Sequence, residues 1–188
     1  MAILSLIIRI VTLPSVLTGA TAALLWLGGG LSGRELLAAE LCLMVTPLLA
    51  YPISDLSCPK GADRRSRQRS MAMVFSAAGY TIGLLWALMT DASPLAKVLF
   101  GSYVLSTLVL LLLNKGLHFK ASGHACSTTA PLIFLSWQLG SWWLLPCALV
   151  AAAVYAASLR LKRHTFSQLI AGSATSLLSG CLCILAFA

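Results

Sequence analysis

Residues 125–159, the 35 positions between His124 and Arg160, contain no Asp, Glu, Lys or Arg. As one straight helix this stretch would run to about 50 Å, well beyond the roughly 30 Å hydrocarbon core of a bilayer. It is read as two short spans folded back as a hairpin. Gly140, Ser141 and Pro146 mark the break, and Trp142 and Trp143 suit the membrane–water interface, where amphipathic rings collect.

The remainder of the chain repeats this pattern of apolar runs between short polar segments. Candidate spans fall near 10–31, 36–53, 71–90, 95–113, 125–139, 142–159 and 165–188. Of the 188 residues, 59% are hydrophobic and 10% charged, with a mean hydropathy of +0.92. A soluble domain carries roughly 25% charged residues. The composition excludes a water-soluble enzyme, a disordered tail and a nucleic-acid module, because the +8 net charge sits between apolar runs and forms no continuous basic stripe. The expected fold is all-α: a polytopic transmembrane helix bundle of six to seven spans in one domain, 1–188. Six is the count if the N-terminal segment lies on the membrane surface. That segment holds one early charge, Arg9, and no A-x-A site follows a short apolar core, so it reads as a retained span. Of six cysteines, all but Cys58 lie in or beside apolar runs, and none forms a C-x-x-C pair; they read as packing thiols.

Following the spans places three basic segments on one membrane face, since an even number of crossings separates each pair. They are residues 54–70, 114–124 and 160–164, and they gather Lys60, Arg64, Arg65, Arg67, Arg69, Lys115, Lys120, Arg160, Lys162 and Arg163. The other face has Arg34 and Lys97, with Glu35 and Asp91 beside them. Two explanations stand. Cytoplasmic loops collect Lys and Arg whatever the protein does; or three loops assemble an anion site.

Each segment carries residues suited to phosphoryl chemistry. Lys60 and Arg67 are seven apart, two helical turns, and would share a face as a clamp for an oxyanion. Arg69 lies outside that pair and is expected to contribute little. Lys120-Ala121-Ser122-Gly123-His124 leads into an apolar helix, whose N-terminus favours negative charge, and His124 suits proton transfer near neutrality. The alternative is a polar cap, with Ser122 capping and His124 in water. His164 and Gln168 are four apart on one face, so the Gln168 oxygen is positioned to hold one ring nitrogen while the other attacks. Thr165-x-x-Gln168 is equally a capping-box pattern. His118 reads as a surface residue and Asp63 as a salt-bridge partner for Arg64 or Arg67. No metal-ligand spacing appears, so neither metal nor other cofactor is expected.

In this order the segments resemble the type 2 phosphatidic acid phosphatase superfamily, which includes the vanadium haloperoxidases. Its pattern is K-x6-R-P, then P-S-G-H, then S-R-x5-H-x3-D. Lys60 and Arg67 match the first, with Gln68 at the Pro position. Ser122-Gly123-His124 match the second, with Ala121 for Pro. His164 matches the third, with Ser158 where Arg is expected and Gln168 where Asp is expected. Residues 63–67 are similar to the D-R-x-x-R of small membrane members, and residues 164–168 to the H-T-x-x-Q of small bacterial ones.

The resemblance implies a metal-free lipid phosphate phosphatase of a bacterial or archaeal membrane. His164 would be the nucleophile and His124 the acid. Lys60, Arg67, Lys120, Ser122 and Gly123 would bind phosphate. Arg160, near the end of the preceding span, is the expected replacement for the missing Arg at 158, with Arg163 as the other choice. The expected partners are a lipid phosphate and membrane lipids. An inactive lipid-phosphate binder and a small transporter with basic cytoplasmic loops are the rival readings.

Overall fold

The computed structural model describes residues 2–57 and 63–188. Among them no strand occurs, and the chain is an all-α bundle. The first two helices, α1 (Ala2–Val11) and α2 (Pro14–Leu27), meet at 50°. The break follows from Pro14, which starts α2 where its missing N–H costs nothing and holds Leu13 extended at φ −52°, ψ 138°. Next come α3 (Gly33–Ala39) and α4 (Thr46–Leu56), joined through a wider π-helical turn at Glu40–Val45. That turn precedes Pro47, which has no N–H to donate, and Thr46 Oγ1 donates to the Leu41 carbonyl at 2.7 Å.

The long helices α5 (Arg64–Met89) and α6 (Pro94–Leu111) follow, α6 continuing as a π turn over Leu112–Gly116. Then come α7 (Gly123–Leu139), a 3-10 turn at Ser141–Trp143, α8 (Leu144–Arg160) and α9 (Phe166–Phe187). The uncharged stretch does fold back: Gly140 takes φ 110°, a left-handed value that favours glycine, and Trp142 and Trp143 stack at 4.5 Å beside it.

Among the described residues, five helical runs are long and apolar enough to cross a membrane: Gly33–Leu56, Arg67–Met89, Pro94–Gly116, Ser141–Arg160 and Phe166–Phe187. The bent α1–α2 pair makes a sixth if it is one span. The remaining expected span, α7, has 17 residues, and residues 125–131 of it are buried throughout among its neighbours. The protein is a multi-pass membrane helix bundle. One boundary differs in a way that matters below: the first helix begins at Ala2, so Arg9 lies inside a helix and not ahead of a span.

The bundle is held by close approach and interhelical hydrogen bonds, as expected where lipid leaves no hydrophobic drive between helices. The α7–α9 and α6–α9 pairs are the most extensive contacts. Thr129 Oγ1 on α7 donates to Ser173 Oγ on α9 at 2.8 Å, and Tyr155 on α8 meets the same oxygen at 2.6 Å. At one end Glu35 ties two helix starts together. Its carboxylate accepts from the Ser32 N–H at 2.7 Å, within a capping box, and from the Ser93 N–H at 2.5 Å. The other end of α6 reaches the site.

Candidate active site

His164 stands just before α9, whose first turn is built by a capping box. Thr165 Oγ1 accepts from the Gln168 N–H at 3.4 Å, and Gln168 Oε1 accepts from the Thr165 N–H at 3.1 Å. The same Oε1 lies 3.3 Å from His164 Nδ1. An amide oxygen can only accept, so Nδ1 carries the proton and Nε2 keeps its lone pair. Capping and orienting, two competing readings of the sequence, are thus performed by one atom. Burial is the main influence lowering the His164 pKa from its ordinary 6.5, and the charges of Arg9 and Lys120 add to it; the bonds to Gln168 and to the Lys120 backbone oppose it.

Ser122 is wholly buried. Its Oγ caps α7 by accepting from the Ala125 N–H at 3.3 Å, and its N–H donates to the Gln168 carbonyl at 3.0 Å. A Cβ at Gly172 would collide with the Ser122 carbonyl, so only glycine lets α9 approach this segment. Ser122 is therefore a cap, absent from the cavity lining, while Gly123 and His124 do line the cavity. His124 points inward and not to water. Its Nε2 lies 3.2 Å from Thr12 Oγ1, whose own proton goes to the Ile8 carbonyl at 2.6 Å. Thr12 thus accepts, and His124 Nε2 holds the donated proton. Both Arg9 and His164 are near enough for their charges to act on His124.

These groups border a cavity of about 640 Å³. Arg9, Arg69, Asn114, Lys120, His124 and His164 line it, together with the apolar Leu6, Ile10, Pro47, Met73, Leu110 and Leu111. The buried Tyr80, Tyr103, Ser106 and Cys126 also belong to the lining. The basic segments that the span count placed on one face do meet here, represented by Arg69, Lys120 and His164.

Other expected site residues lie elsewhere. Lys60 and Cys58 lie outside the described residues. Arg67 is half-buried with its Nε unpartnered and is absent from the lining, whereas its neighbours Gln68 and Arg69 line it. Gln68 Nε2 and Arg64 Nε each donate to Asp55 Oδ1 at 2.8 Å, so Asp55 is a carboxylate partner of Arg64. Arg160 is exposed in the last turn of α8, off the lining; Arg163 N–H closes that turn by donating to the Ser158 carbonyl at 3.0 Å. His118 is exposed, with φ 53°.

Three lining or supporting groups were not singled out from sequence: Arg9, Thr12 and Asn114, whose buried Oδ1 has no partner. For Arg9 the signal was present. A lone charge within an apolar run of a membrane protein is costly and therefore seldom idle. The five described cysteines are free thiols. The arrangement offers an aligned imidazole lone pair, a second imidazole bearing a proton, several cations and a helix N-terminus around one volume. Comparison with protein-family models, with curated proteins and with solved structures found no match to this chain.

Proposed function

We propose that this protein is a membrane-embedded lipid phosphate phosphatase acting without metal through a phosphohistidine. The observation that carries the reading is that His124, His164, Lys120 and Arg69 line one cavity together with many apolar side chains. A phosphorylated head group suits the former and an acyl or prenyl chain the latter. Phosphatidate, phosphatidylglycerol phosphate and prenyl phosphates or pyrophosphates fit this description.

In the reaction His164 Nε2 attacks phosphorus, and the bond from phosphorus to the leaving oxygen breaks. His124, as the imidazolium, gives its Nε2 proton to that oxygen, which takes the place of Thr12, and is left as the neutral ring. Water then attacks the phosphohistidine, the N–P bond breaks, His124 takes the water's proton, and inorganic phosphate leaves. The cations and the Gly123 N–H hold the non-bridging oxygens as charge spreads over them. Gln168 in place of a carboxylate stabilises the developing imidazolium less, which favours slow turnover.

The site is assigned to the cytoplasmic face. Of the ten cations in the three basic segments, Arg69 and Lys120 line the cavity; discounting them as anion ligands leaves eight against two on the other face.

Phosphate release from lipid phosphates in detergent, in the presence of EDTA, tests the reading. His164→Ala and His124→Ala should each remove most turnover with helicity retained, and the double variant should be little worse, since nucleophile and acid act as a unit. Wild-type turnover in His164→Ala would exclude the phosphohistidine. Loss in EDTA with recovery in Mg²⁺ would point to a different phosphatase chemistry.

A further inference from the structure

Arg9 has an unusual set of neighbours. Its Nη1 donates to Ser158 Oγ at 2.6 Å, and that hydroxyl has already given its own proton to the Val154 carbonyl at 2.7 Å. A neutral oxygen is thus the arginine's hydrogen-bond partner. Among the described residues the ion pair is Arg64–Asp55, and no carboxylate accompanies Arg9. What surrounds it instead is positive or titratable: Arg163 repels it, and its charge reaches both His124 and His164. A guanidinium has five N–H donors in a planar fork. One is used, and the residue lines the cavity.

A half-buried cation in the last turn of α1, with other cations near it and no acid beside it, is poorly placed for stability alone. It is well placed for an anion. We propose that Arg9 is a direct ligand of the substrate's phosphoryl oxygens, brought in from α1 at the place where α8 presents Ser158. This deepens the phosphatase reading and rests on it for the identity of the anion. Ser158 is wholly buried and small, which lets α1 pack against α8 and orients the guanidinium toward the cavity. A side chain of arginine size at 158 and Arg9 in its present pose could not occupy that space together. The two positions are alternatives for delivering one cation.

Inorganic phosphate binding by calorimetry and phosphatidate hydrolysis in detergent test this on the full-length protein. Arg9→Gln keeps an N–H donor for Ser158 but removes the charge; Ser158→Ala keeps the charge but removes the tether. Arg9→Gln should weaken phosphate binding and raise KM at least tenfold, with kcat/KM falling about 100-fold, as when one oxyanion donor is lost. Ser158→Ala should lose far less. If Arg9 only tethers α1 to α8, the order reverses, and Arg9→Gln within threefold of wild type in both readouts overturns the proposal. Should Arg9→Gln fail to fold, Arg9→Gln/Ser158→Arg decides: phosphate binding restored from α8 supports it, and a folded double variant without binding overturns it. Wild type that binds phosphate in an Arg9-dependent way but hydrolyses no lipid phosphate upholds Arg9 and removes the phosphatase reading. Wild type that neither binds nor hydrolyses removes both.

Discussion

On His164, burial and two neighbouring cations disfavour the protonated ring, and Gln168 Oε1 favours it. The balance lies below the ordinary 6.5, and the sign matters for catalysis. In the proposed mechanism attack needs the neutral ring, so a lowered pKa would keep His164 available as the nucleophile at more acidic pH. The acid limb of kcat/KM should lie below the usual histidine range. Gln168→Glu places a carboxylate on Nδ1, favours the imidazolium and should move that limb upward, measured against wild type with one substrate so that the substrate's own ionisation cancels. An unmoved limb would mean that another group controls it. The His164–Gln168 pair was legible because four residues on a helix make neighbours. Arg9 was legible only as a charge within an apolar run, and Thr12 not at all; their meetings with Ser158 and His124 span 149 and 112 residues, and no local spacing encodes them.

At the scale of elements, the two histidines are brought together by the docking of the α7 start onto the first turns of α9. The Ser122 N–H bonds the Gln168 carbonyl, and Gly172 makes room for the Ser122 carbonyl. Gly172→Ala must push the segment 122–124 away while leaving both helices formed. A misplacement of about 1 Å costs on the order of 100-fold in rate. Turnover should therefore fall by about that factor with an unchanged circular dichroism spectrum; full activity would show that the two segments are not rigidly coupled. The hairpin of α7 and α8 was legible from an uncharged run too long for one span, and Gly140 from its place in the break. The bend of 50° between α1 and α2 was not, because Pro14 reads as easily as the start of a helix as the middle of a kinked one. The difference moved Arg9 from the edge of a span into the site.

Over the whole molecule, Arg9, Arg69 and Lys120 line the cavity near one end of α6, and Glu35 organises the other end. In a cysteine-free background, Leu117→Cys puts a thiol at an exposed position in the loop leading to Lys120. Protection from an impermeant thiol reagent in intact cells, with labelling after permeabilisation, is expected for a cytoplasmic site; labelling of intact cells would put it outside and favour a recycled pyrophosphate carrier over a newly made phospholipid precursor as substrate. The cations lining the cavity also bear on how the protein is handled. Self-repulsion raises the energy of the empty folded state, and any anion that binds it alone stabilises it, by about 2.7 kcal/mol at one hundred times its Kd. Phosphate would be such an anion and would also be the product of the proposed reaction. The buffer that best preserves the purified protein is then the one that occupies its site, and storage conditions chosen for stability would mask the turnover they were meant to protect.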